Sequence, residues 1–185
     1  MPGTVIGKSL NLGYVGGVSR NPMNKITNRK VKSIVTTGSE TLASIPFGFA
    51  AVLNTDNSYS KFGDSGSGVA NPTLANFAGV AVAEVKQATT YPTTSANGAY
   101  APGEPADVIQ FGSVTVLLKD GTPTAGGTVH ICTVAGGAIA VGDFVTSTGP
   151  TGGGTAIALT GTKFTTGKVD ANGVCEITLT VVANA

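Results

Sequence analysis

Residues 175–181, CEITLTV, alternate apolar and polar side chains without a break. Cys175, Ile177, Leu179 and Val181 form one row and Glu176, Thr178 and Thr180 the other, the period of two expected of a β-strand with one face on a core. Just upstream, Asn172 and Gly173 suit the positive φ angles of a tight hairpin turn. A second alternation sets Val114, Val116 and Leu118 against Ser113 and Thr115 and runs into Asp120 and Gly121, turn chemistry of the same kind. Further strand candidates are 31–36, 47–53, 77–86, 106–111, 128–134, 138–146, 155–160 and 163–169. STGPTGGGT, 147–155, reads as a turn or loop, and 54–76 as a long polar loop. Nothing from residue 31 onward sustains an amphipathic helical stripe. The pattern predicts an all-β fold with little helix: an antiparallel β-sandwich or barrel (jelly-roll-like) with an extended N-terminal arm.

A chain of 185 residues suffices for one well-buried domain. With 27 Gly, no Trp and 11% charged residues, the composition favours strands and turns. Residues 1–30 lack a sustained period and are interrupted by Pro2, Gly3, Gly7, Gly13, Gly16, Gly17 and Pro22. They are expected to form an extended arm ordered by whatever it lies against, with 31–185 as the β body. Charge divides along the same line. No acidic residue precedes Glu40, whereas Lys8, Arg20, Lys25, Arg29, Lys30 and Lys32 give that segment +6, leaving −5 on the rest against a total of +1.

No run of about 18 apolar residues is present to span a bilayer, and the start lacks the pattern of a secretory signal, so no membrane association is expected. The two cysteines, Cys132 and Cys175, have no CxxC spacing for zinc. One disulfide between them stays open as an alternative to two core thiols. With no DxDxDG loop and a single histidine, no metal site and no cofactor are expected.

GDSGSG, 63–68, presents Ser65 as chymotrypsin-like enzymes present their nucleophile, but a triad needs a histidine base and an orienting carboxylate. The single histidine, His130, follows Ser65 by 65 positions, and no strand-turn-helix elbow surrounds the serine. These residues read as turn chemistry instead. Gly7, Lys8 and Ser9 imitate the end of a phosphate-binding loop, yet Pro2 and the residues around it exclude the full motif. No enzymatic activity is expected. The basic run TNRKVK, 27–32, could neutralise phosphates, but Tyr14 is the lone aromatic platform nearby. An acidic protein surface suits the run better, and direct nucleic-acid contact is not expected.

IPFGFAAVLN at 45–54 and FAGVAVAEV at 77–85, followed by SVTVLLKDG at 113–121 and VHICTVAGGAIAVGDFVTST at 129–148, resemble the structural cement, or decoration, proteins of tailed bacteriophage capsids. The resemblance covers roughly residues 30–182 and is sharpest at Ile45–Gly48 and Phe77–Ala81. It implies a cofactor-free, non-enzymatic homo-oligomer (dimer or trimer) that binds the outer surface of the major capsid protein shell and bridges neighbouring subunits. Its location would be the virion surface, after assembly in the host cytoplasm. Pro46, Phe47, Gly48 and Gly79 would be scaffold, bending or closely packing strands. Contacts with the shell are expected from the arm cations Arg20, Lys25, Arg29, Lys30 and Lys32. The alternative is a carbohydrate- or receptor-binding β module of a virion appendage, against which stand 4 Tyr, 7 Phe and no Trp.

Overall fold

The computed structural model describes residues 12–18, 23–33, 35–36, 39–40, 44–64, 69–84 and 98–180. In chain order the strands are β1 (Lys25–Lys30), β2 (Val35–Thr36), β3 (Ser39–Glu40), β4 (Ile45–Pro46), β5 (Ala50–Leu53), β6 (Tyr59–Lys61) and β7 (Phe77–Ala81). They continue as β8 (Ala99–Tyr100), β9 (Pro105–Asp120), β10 (Thr128–Val134), β11 (Phe144–Val145), β12 (Thr155–Val169) and β13 (Val174–Leu179). Helix among the described residues is limited to the 3-10 turn Leu74–Asn76. The chain is all-β, as its alternating segments predict, and it contains a closed barrel.

The barrel closes through β9. Its later half pairs antiparallel with β13, from Gly112 opposite Leu179 to Leu117 opposite Val174. From β13 the ladder passes to β12, then β10, then β11, and β11 returns parallel to β9 at Leu118 and Asp120. The earlier half of β9 belongs to a second sheet, flanked by β1 on one side and by β7, β5 and β6 on the other. That sheet bends round until Val31, just past β1, forms a parallel bridge with Tyr59 of β6. One long strand therefore serves two rings.

Each ring has its own core. Phe164, Ile177, Leu179, Val114, Val116, Leu159 and Ile131 fill the barrel in one cluster with Val52, Val80 and Ile109, while Tyr59, Tyr100, Val108, Ala51, Ala81 and Ile45 fill the second ring. The sheet shared between them is buried on both faces, so β5 and β7 read as continuous apolar runs, AAVL and FAGVA. Along β9 the alternation changes phase. Ala106 and Val108 face the second core, whereas Val114, Val116 and Leu118 face the barrel. Gly112 lies at the change with φ +118°, a conformation closed to most L side chains. Gly79 packs as expected, for a Cβ there would sit 2.1 Å from the Ile109 carbonyl oxygen. Pro46–Phe49 makes the expected bend, the Phe49 amide donating to the Pro46 carbonyl at 3.2 Å.

Several expectations change in detail. Candidates 106–111 and 113–118 fuse into β9, and 155–160 and 163–169 into β12. Asn172 and Gly173 form the predicted hairpin between β12 and β13, with the Asp170 amide donating to the Val174 carbonyl at 3.0 Å. Asp120 and Gly121 do not form one: the neighbour of β9 there is β11, whose parallel direction no two-residue turn can reach. Asp120 instead accepts the Thr151 amide at 2.8 Å. Of candidate 138–146 only Phe144 and Val145 are strand, because the buried Asp143 carboxylate draws the Ala140 amide (2.8 Å) into a turn. The polar loop 54–76 contains β6, and Lys25–Lys30, inside the segment assigned to the arm, is β1. Cys132 and Cys175 are free, buried and in separate clusters, and burial pushes the Cys175 thiol up to about 12.

Candidate functional site

The leading segment runs along β9 before it becomes β1. The Leu12 amide donates to Asp170 Oδ2 at 3.2 Å, at the β12–β13 turn. The amides of Val174, above all, with those of Asn172 and Leu12 hold the Asp170 carboxyl below the usual carboxylate range, burial opposing them. Next, the Gly16 amide donates to the Thr115 carbonyl at 2.7 Å, and the Ala83 amide to the Gly16 carbonyl at 2.8 Å. Thr115 completes the anchor, its hydroxyl donating to the Tyr14 carbonyl at 2.6 Å and accepting from the Gly17 amide at 2.9 Å. A Cβ on Gly16 would lie 2.8 Å from the Ala83 nitrogen and 2.9 Å from that of Gly48. Gly16, an interruption of pattern in the sequence, is here the point of closest approach.

The segment carries apolar surface outward. Tyr14 is 90% exposed, Met23 69% and Ile26 43%, and Val18 is also open, while the other exposed large apolar residues among those described are Val134 and Val169. Four of the six thus sit on a stretch that makes up a small share of the chain.

Four of the five predicted contact cations fall on or beside β1, and Arg20 lies outside the described residues. β1 pairs with β9 from Ile26 opposite Ile109 to Lys30 opposite Pro105. Thr27 and Arg29 turn toward the second core. The Thr27 hydroxyl meets the Tyr59 hydroxyl at 2.5 Å, and the Arg29 guanidinium lies 5.8 Å from the Tyr59 ring centroid while donating to Asn57 Oδ1. Asn57 holds a left-handed conformation (φ 67°) at the tip of the β5–β6 hairpin, one that asparagine tolerates. The same tip supplies Asp56, which pairs with Lys32 at 2.7 Å. The Lys32 hydrogen bond first, then that of Ser58, holds the Asp56 carboxyl at about 2. On the other face, Asn28 Nδ2 donates to Asp107 Oδ1 at 2.7 Å. Lys25 and Lys30 are exposed and form no ion pair among the described residues.

Of the residues considered for catalysis, Ser65 lies outside the described residues, and Asp64 beside it has its carboxyl pushed up by burial. His130 sits within β10, between Val145 and Ala158 of the flanking strands. The β1 region is instead a hydrogen-bonded, cationic strip bordered by apolar side chains, chemistry suited to holding another macromolecule.

The family model of the phage structural cement protein (E217 gp24/Pam3 gp6) matches residues 1–180. The chain belongs to this family. It is accordingly a structural protein of the phage capsid and a component of the virion. Among solved structures, a chain from the capsid of Myoviridae phage XM1 shares the fold, with a TM-score of 0.65 and 18% identity over 97% of this chain and 98% of that one. No curated protein matches the sequence. The cement family had been legible in IPFGF and FAGVA, scaffold residues of the second ring, whereas the leader's anchor at Gly16 and Thr115 carried no sequence signal beyond a glycine and one polar position on a strand.

Proposed function

We propose that this cement protein binds the outer surface of the major capsid shell and stabilises it by bridging neighbouring subunits, acting as a homodimer or homotrimer without catalysis or a cofactor. Assembly on the shell takes place in the host cytoplasm, and contact is with protein, not with the packaged nucleic acid. The single observation that carries this reading is the family match over residues 1–180. The surface supports it: exposed Tyr14, Met23 and Ile26 lie on the same leading segment as Lys25 and Lys30, which form no ion pair among the described residues. Apolar anchors beside uncompensated charge are what a partner surface recognises, the first for affinity and the second for approach and register. The leader, residues 1–30, supplies the contact and the β body supplies the rigid support. Repetition over a symmetric shell multiplies a modest single contact.

Co-sedimentation with empty shells tests the reading. The protein should pellet with shells and remain in solution without them. K25E/K30E should weaken binding by about tenfold at low ionic strength and much less in about 1 M salt, where the Debye length falls to about 3 Å. A protein that stays in the supernatant at every ratio of protein to shell would overturn the proposal.

A further inference from the structure

β1 has one edge in use and one to spare. On the used side the Val31 amide donates to the Glu104 carbonyl at 2.8 Å and the Gly103 amide to the Val31 carbonyl at 2.9 Å. On the opposite side the Lys32 amide donates to the Tyr59 carbonyl at 2.8 Å. Main-chain groups of successive residues point to opposite sides of a strand, and the pairing is regular from Ile26 to Lys30. The amides and carbonyls of Ile26 and Asn28 therefore point away from β9. β6 is only three residues long and meets this edge at Val31, so it leaves them without a partner among the described residues.

Unpaired edges recruit strands, and the side chains decide which. Lys25 and Lys30 stand at the two ends of β1 with no ion pair among the described residues, and Arg29 is bonded to a neutral amide. Antiparallel pairing of β1 with β1 of a second copy must lay outward Ile26 and Asn28 opposite outward residues, which brings Lys25 opposite or diagonal to Arg29 of the other strand twice, and like charges so placed are destabilising. Pairing with itself is disfavoured. An extended segment bearing acids about five residues apart would match both lysines across about 17 Å of strand, with exposed Ile26 as apolar footing.

We infer that the free edge of β1 accepts, as an added strand, an extended acid-bearing segment of the capsid subunit. The inference rests on the proposed capsid binding for the source of that segment, and it gives the leader a receiving role: instead of lending a strand to a neighbour's sheet, the protein takes one into its own.

The probe is a capped synthetic peptide, EVTVTE, added at millimolar concentration to the isotope-labelled full chain, with KVTVTK as control. Amide exchange at Ile26 and Asn28 should slow about tenfold with the acidic peptide and not with the basic one. In K25E/K30E the preference should reverse, a result that also shows the variant is folded. Equal protection by both peptides, protection confined to other strands, or none at Ile26 and Asn28 with the acidic peptide would overturn the inference. Shell co-sedimentation is read separately. Pelleting without peptide protection removes the edge mechanism alone, and protection without pelleting removes the capsid function alone.

Discussion

The two rings that share β9 are closed to very different degrees. In the barrel each strand has a partner on both sides, and the circuit from β9 through β13, β12, β10 and β11 returns to β9 by two residue pairs, Phe144 with Leu118 and Val145 with Asp120, across a shift of register. The second ring, from β1 through β9, β7, β5 and β6, is closed among the described residues by the one bridge between Val31 and Tyr59. The fully closed ring has no edge to offer, whereas the barely closed one presents Ile26 and Asn28. Rigidity and reach are thus divided between two halves of one strand: the barrel holds β9 in place, and β9 holds β1 where a partner can meet it.

If the barrel is the rigid half, emptying it should have the largest effect. Phe164 is 2% exposed and packs with Ile177 and Leu179. F164A should lower unfolding stability by about 3–5 kcal/mol, read from denaturant midpoints at constant slope. A loss below about 1 kcal/mol would mean that the barrel core collapses around the gap, and the contrast between the rings would fail.

The second ring should break more gently, at its closure. Tyr59 is fully buried, and its hydroxyl bonds the Thr27 hydroxyl at 2.5 Å. Y59F should cost about 0.5–1.5 kcal/mol, and T27V, which strands the phenol, about 1–3 kcal/mol. The double variant should cost less than the two together, since neither partner is then left unpaired. Strict additivity in equilibrium unfolding would show that the hydroxyl pair does not join β1 to β6. Slowed exchange at Thr27, whose amide faces β9, in wild type and its loss in Y59F would sharpen the comparison by showing that the closure holds β1 against β9.

How far this could be read from residues alone follows the same division. The barrel strand Val174–Leu179 is legible because one face covers a core and the other meets water, so alternation survives. β5 and β7 are legible as apolar runs because both faces are buried, and they carry the family resemblance. β1 is not legible. KITNRK has no apolar row, since it pairs through its main chain with β9 and its inward positions are Thr27 and Arg29, satisfied by Tyr59 and Asn57. The tip Asp56–Asn57 reads as polar loop for a related reason: its role is to bond two cations about 25 positions away, and spacing along a chain does not announce such a meeting. Four of the cations named from the sequence lie on or beside β1, and which of them are held there depends on that hairpin.

That distinction yields the smallest effect. Lys32 and Asp56 form an ion pair at 2.7 Å in which half of the Asp56 side chain remains in water. Solvent screening limits such a pair, so D56N should cost no more than about 1 kcal/mol at pH 7, and less in high salt. The Asp56 carboxyl lies at about 2 when folded, below its ordinary 3.8. A lowered value means that the folded state favours the ionised form. The contribution is complete above pH 3.8 and disappears as pH falls through about 2. Unfolding curves for wild type and D56N should therefore differ at pH 7 and at pH 5 by the same small amount and converge below pH 2. K25E, by contrast, removes a cation that no carboxylate among the described residues pairs with, so it should leave stability within about 0.5 kcal/mol of wild type at every pH above 5. A larger loss on reversing Lys25 than on neutralising Asp56 would place Lys25 among the residues that hold the sheet, and the edge it borders would no longer be free for a partner.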